Sequence, residues 1–226
     1  MRSGKMRPQT NKTESAMRNV RKQDEIAIKN VTANIERYKQ SSASSKSIKA
    51  FLKLEKDLER MSAKKDGMNP EIFMKKIFEF VDFYMGREIY KFTECAKGCA
   101  YCCRLPVSTS ALEAYYLYGI ISKRDDIEFV NLEPSSPKTN NSDNEYCPFL
   151  NQTTGTCTAY ERRPLNCRTF ASLDGWKECV DPLNHHHMHA WSSNEMLKVI
   201  RKNINMISQQ NGKVVDADIR DWFKGK

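Results

Sequence analysis

The chain has 226 residues, 39% of them hydrophobic and 29% charged, which is enough for one domain and an extension. Its formal net charge is +9, and the whole excess lies in residues 1–67, with 17 Lys+Arg against 8 Asp+Glu; residues 68–226 hold 20 of each. No run of eighteen apolar residues occurs, so no membrane helix is expected, and the N-terminus lacks the apolar core of a secretory signal.

A basic start resembles a transit peptide, but Glu14, Asp24 and Glu25 argue against one. The expectation is a cytoplasmic protein with no membrane association, and there thiols stay reduced. The charge asymmetry divides the chain into a basic, partly disordered helical extension (1–67) and a second region (68–226). A basic arm of this kind suits a protein or nucleic-acid partner, while a solvated helical face explains the same charge.

Residues 1–12 are polar and aperiodic and read as disordered. Thr13 or Ser15 caps a first helix running to about Gln40, with Ile28, Val31, Ile35 and Tyr38 on one stripe. The run Ser41-Ser42-Ala43-Ser44-Ser45 ends it. A second helix, about Lys46 to Lys64, repeats the spacing with Phe51, Leu54, Leu58 and Met61. Asn69 and Pro70 open a third, to about Tyr90, apolar on nearly all sides and therefore expected to be buried.

That helix leads into Cys95-Ala-Lys-Gly-Cys99-Ala-Tyr-Cys102-Cys103, four thiols in nine residues. A further helix from Ser108 or Ser110 through Ile121 follows, with Ser110 and Glu113 spaced as a capping box. Residues 131–146 read as loop. Cys147 and Cys157 bracket a small hairpin turning at Thr154-Gly155. Cys167 and Cys179 come next. A last long helix, about Ser193 to Gln209, precedes one short helix between Val215 and Phe223. The predicted fold is mainly α with a small irregular Cys-rich metal-binding centre and one short β-hairpin.

Eight cysteines make four disulfides in a secreted chain, but clustered thiols in a reducing compartment favour metal. All eight are candidate ligands: Cys95, Cys99, Cys102, Cys103, Cys147, Cys157, Cys167 and Cys179. The segment Cys95-x3-Cys99-x2-Cys102 is also the spacing by which radical S-adenosylmethionine enzymes hold a [4Fe–4S] cluster. Those enzymes place it early in a barrel of alternating strands and helices, whereas here a helix precedes it and no βα alternation follows. Structural zinc is the second possibility, since four thiolates make a closed tetrahedral site and eight would fill two.

The blocks Cys95-x3-Cys99-x2-Cys102-Cys103, Cys147-Pro-Phe-Leu, Cys157-x2-Tyr160-Glu161-x-Arg163-Pro164-Leu165-x-Cys167-Arg168 and Ser172-Leu-Asp174-x4-Cys179 closely resemble the YkgJ-type cysteine-cluster family. This is the CxxCxxCC, zinc- or iron-chelating, domain. The resemblance covers about residues 90–180, and the first gap here is three residues instead of two. It implies a metal centre held by these cysteines. Related domains occur in flagellin lysine N-methylases, which implies an iron–sulfur protein with redox or methyl-transfer chemistry. The favoured cofactor is a [4Fe–4S] cluster, ahead of zinc.

Adjacent Cys102 and Cys103 are expected to point apart, so that one of them ligates and the other packs or serves a second site. Gly98 suits a positive φ within the loop. Arg163 and Arg168 are placed to bond carbonyls, to pair with Glu161 or to offset thiolate charge. Tyr160 reads as core. The tract His185-His186-His187-Met188-His189 reads as a solvated loop, with His189 the best placed of its members to add a ligand. No phosphate loop and no H-E-x-x-H motif is present.

Overall fold

The computed structural model describes residues 29–63, 69–93, 95, 98–122, 124–133, 136, 146–174, 179–180, 187–210 and 216–225. The boundary expected at residue 67, the N-terminal residues 1–28 with the first helix cap, His185 and His186 lie outside them. Residues 29–39 form α1. Then follow α2 (Ser45–Ser62), α3 (Pro70–Tyr84), a π-helical turn Met85–Ile89, and 3-10 turns Tyr90–Phe92 and Tyr101–Arg104. The second half holds β1 (Ser108–Ser110), α4 (Ala111–Ile121), β2 (Ile127–Phe129), β3 (Leu150–Asn151), β4 (Thr156–Cys157) and α5 (Leu165–Thr169). It ends with β5 (Ala171–Ser172), β6 (Met188–His189), α6 (Glu195–Gln210), β7 (Asp216–Asp218), α7 (Ile219–Trp222) and β8 (Phe223–Gly225).

The fold is mainly α around an irregular cysteine-rich region, with the short β3–β4 hairpin turning at Thr154-Gly155. The caps follow from side-chain chemistry. Asn69 accepts from the amides of Glu71 and Ile72, and Pro70 occupies the first turn of α3. Ser110 and Glu113 close a capping box on α4.

Three further antiparallel pairings join distant segments: β1 with β7, β2 with β8, and β5 with β6. Two of them bound the short helix expected between Val215 and Phe223, which is α7 (Ile219–Trp222). Only the turn α7 is helical there, because β7 and β8 on either side of it hydrogen-bond to β1 and β2. Local propensity yields to partners that lie about a hundred residues away.

Two cores flank the cysteines. In the first, Phe51, Leu54 and Leu58 of α2 pack on Phe73, Ile77 and Val81 of α3 and on Leu197, Ile200 and Ile204 of α6. In the second, Ala114, Leu117 and Ile121 of α4 meet Phe149, Trp222 and Phe223, with Cys147, Cys157 and Cys167 packed against them. A third small cluster, Ile35, Phe92 and Leu173, seats α1.

Between the two main cores lies the fully buried carboxylate of Glu113. Its Oε2 accepts from the Ser110 amide (2.9 Å), the Ser110 hydroxyl (2.7 Å) and Arg201 Nη1 (3.1 Å). Its Oε1 accepts from the Leu165 amide at 2.7 Å, at the start of α5. Arg201 also donates to Ser108 Oγ and to Asp216. One ion pair therefore ties α4, α5, α6, β1 and β7 together. Removing one partner strands the other charge in the interior, so Glu113→Ala should lower stability by about 3–5 kcal/mol. Urea unfolding measures this, and Glu113→Met with Arg201→Met should recover part of the loss.

Candidate metal centre

All eight cysteines are free thiols; Cys95 is exposed and the other seven are partly buried. Cys95, Cys99, Cys102 and Cys103 come from the loop after α3, Cys147 and Cys157 from the ends of the β3–β4 hairpin, Cys167 from α5, and Cys179 from the segment after β5. The loop closes tightly at Gly98, whose φ of +92° favours glycine. The hairpin turn rests on it, since a Cβ on Gly155 (φ +65°) would collide with the Gly98 carbonyl.

Backbone bonds join these pieces. The Cys147 amide donates to the Cys103 carbonyl at 2.9 Å. The Ser172 amide donates to Cys95 Sγ at 3.3 Å, and the Ser172 side chain also bonds Cys179. Cys102 and Cys103 do not point apart, because the backbone turns sharply at them. They sit on the 3-10 turn Tyr101–Arg104, and their side chains hydrogen-bond to each other.

The thiols fall into two neighbourhoods that meet at Cys102. Cys95 feels Cys102 and Cys99, and Cys179 feels Cys95, Cys99 and Cys102. Cys167 feels Cys147, Cys102 and Cys157. Burial raises the Cys147 thiol to about 12 and the Cys179 thiol to about 11, and pushes Cys95, Cys157 and Cys167 up. Cys102 is raised first by its bond to Cys103 and then by burial. Arg163 opposes the rise at Cys102, Cys157 and Cys167 by favouring thiolate. Among the described residues no three His, Cys, Asp or Glu side chains stand close enough to chelate one ion. The thiols share a neighbourhood without forming a coordination sphere. The donor set, eight free thiols with amide and guanidinium support, fits a soft or borderline metal.

Arg168 is buried and bonds the carbonyls of Arg163 and Glu161, as expected, but its charge partner is Asp82 (2.5 Å) and not the Glu161 carboxylate. Arg163 lies 4.0 Å over the Tyr160 ring and donates to the Tyr90 hydroxyl. Tyr160 is 52% exposed and so belongs to the surface, where it serves as the platform for that guanidinium. His189 is not part of a solvated loop: it is 1% exposed, paired through β6, and its Nδ1 meets the Thr169 carbonyl at 2.8 Å. A carbonyl only accepts, so the proton is on Nδ1. Its ring stands edge-on to Tyr38 of α1. No thiol bonds it among the described residues.

Several supporting residues carried no motif signal. Arg220 donates to the carbonyls of Cys103 and Leu105, and Arg104 donates to the Val180 carbonyl beside Cys179. Ser172 supports Cys95 and Cys179 together. Its position in the block Ser172-Leu-Asp174 was the one hint.

A family model described as "CxxCxxCC: Putative zinc- or iron-chelating domain" matches residues 94–210, about half of the chain. No curated protein and no solved structure matches.

Two outcomes follow. Gly155→Val should displace the Cys95–Cys99 loop and lower metal bound per chain at least severalfold, read by elemental analysis, while far-UV dichroism stays near wild type. In the metal-free protein the thiols of Cys147 and Cys179 are raised above their unfolded value near 9. Between about pH 9 and 11 the unfolded chain therefore holds fewer protons than the folded one, and stability falls as pH rises. Urea midpoints at pH 8 and pH 10.5 test this. The metal-loaded protein, its thiols already deprotonated, should show a smaller fall.

Proposed function

The chain belongs to the CxxCxxCC family of zinc- or iron-chelating domains, and from that footing we propose that its eight cysteines hold a metal centre of which a [4Fe–4S] cluster is the principal part. The observation that carries this is the loop Cys95–Cys102, which delivers three thiols in eight residues, closes at Gly98 and shares Ser172 with Cys179. Cys95, Cys99, Cys102 and Cys179 are the ligands we assign to the cluster. Bound there, it would supply one-electron redox chemistry, and the resemblance of the cysteine blocks to the domain of lysine methylases extends the proposal to methyl transfer.

The chain's own groups then have defined tasks. The Ser172 amide donates to Cys95 Sγ and stabilises the thiolate form. Arg163 adds positive charge beside Cys102. Arg220 holds the backbone at Cys103 and Leu105, and Arg104 joins the end of the cysteine pair to the Val180 carbonyl next to Cys179. Cys147, Cys157 and Cys167, packed against the second core, favour a second reading for the remaining thiols with Cys103: a closed, structural zinc site. A cytoplasmic location belongs to this reading, because a reducing compartment keeps thiols available to a metal. Residues 68–226 are the metal-binding domain, and residues 1–67 the extension that meets a protein or nucleic-acid partner.

Anaerobic purification followed by metal, acid-labile sulfide and visible-spectrum analysis tests the proposal. Iron and sulfide in equal amounts with a brown colour are expected. A colourless protein whose thiols are filled by zinc alone would sink the cluster and leave the structural-zinc reading.

A further inference from the structure

The outward face of α2 carries a row of charge that the fold does not use. Lys49, Lys53, Lys56 and Arg60 follow one another at steps of four, three and four residues, and all four are exposed. At about 100° per residue they fall within about 60° of the helix circumference, and at 1.5 Å rise they recur about every 5–6 Å over roughly 16 Å. They line a shallow groove with Leu52 and Asp57. Asp57, the acid in that groove, is already met by Arg60 at 3.6 Å and by Lys76 of α3 at 3.4 Å. Among the described residues Lys49, Lys53 and Lys56 have no carboxylate partner. Like charges three and four residues apart destabilise a helix; Arg60 is offset by its pair with Asp57, whereas Lys49, Lys53 and Lys56 have no such pair among the described residues.

We propose that this face of α2 is a nucleic-acid-binding surface that lies along the phosphate backbone of a duplex without reading its sequence. The opposite face of the helix is spent, since Phe51, Leu54 and Leu58 are buried in the first core; Ile48 and Leu52 are the large apolar side chains α2 leaves exposed, too small a stripe to seat the helix in a lipid surface. The row carries no aromatic side chain on which a base of a single strand would stack. What remains is a line of cations at regular steps, the complement of a line of phosphates. Residues 1–28 add 7 Lys+Arg against 3 Asp+Glu on the same side of the sequence. The inference deepens the partner half of the reading above and does not rest on the metal half.

Fluorescence anisotropy of a labelled 20-base-pair duplex with the full chain, over graded salt, tests it. Binding should weaken as salt rises. The double variant Lys53→Glu, Lys56→Glu should bind at least tenfold more weakly at low salt and lose about 1.8 from the slope of log K against log salt, at about 0.9 per phosphate contact. Both substitutions are on the exposed face, so metal content and far-UV dichroism should match wild type, separating loss of this surface from loss of the centre. Duplex affinity and slope unchanged by the double variant would overturn the assignment. So would an acidic peptide such as polyglutamate binding as tightly as the duplex, which would give the face to an acidic protein.

Discussion

The Glu113–Arg201 ion pair is the constraint on which the rest of the molecule depends. A carboxylate with no exposure is tolerable only when its acceptor sites are filled, and here two amides, a hydroxyl and a guanidinium fill them. Those donors come from Ser110 at the cap of α4, from α5 and from α6, and Arg201 extends the network to Ser108 of β1 and to β7. The pair therefore sets where α5 begins, and α5 carries Cys167. It also holds β7 in place, which leads into α7 and Arg220 and so to the carbonyl of Cys103. A polar junction between two apolar cores thereby ties the segment of Cys167 to that of Cys103.

The cysteine region shows how a chain prepares a place for charge. Burial alone keeps the thiols protonated, and mutual repulsion adds to that. The opposing influences are local: an amide aimed at Cys95, and Arg163 lying over Tyr160 near three thiols. A bound metal replaces the protons, so the same burial that raises the thiols also shields the thiolates from water once they are engaged. Cys102, at the meeting point of the two neighbourhoods and bonded to Cys103, links the exposed end of the region to the buried end.

The N-terminal helices divide two tasks. α1 rests on Phe92, Leu173 and His189, close in sequence to Cys95, Ser172 and the β5–β6 pair. α2 gives one face to the core and the other to solvent. Their elbow is locked by the buried Glu88, which sits on the π-helical turn and accepts from the Ser44 and Ser47 hydroxyls. Those bonds hold its carboxyl below the usual range against the opposing effect of burial. The extra residue of a π-turn re-aims the chain between α3 and the cysteine loop.

The sequence by itself determined the elements and the chemistry. Spacing of apolar residues placed α2 and α6, because a helix buries a stripe every three to four residues and its own chain supplies that stripe, while Asn69 with Pro70 marked the start of α3. Ser110 with Glu113 marked a helix start, and Gly155 marked the hairpin, because both act over a few bonds. The eight thiols announced a metal by number and clustering. Only the tertiary structure decided that Glu113 does more than cap its helix, that His189 is core, that Tyr160 is surface, and that 215–223 is divided between two strands and a turn. Apart from the exposed Tyr160, each of these depends on a partner 20 or more residues away, and sequence pattern carries no information about which distant group will supply a hydrogen bond or a covering side chain.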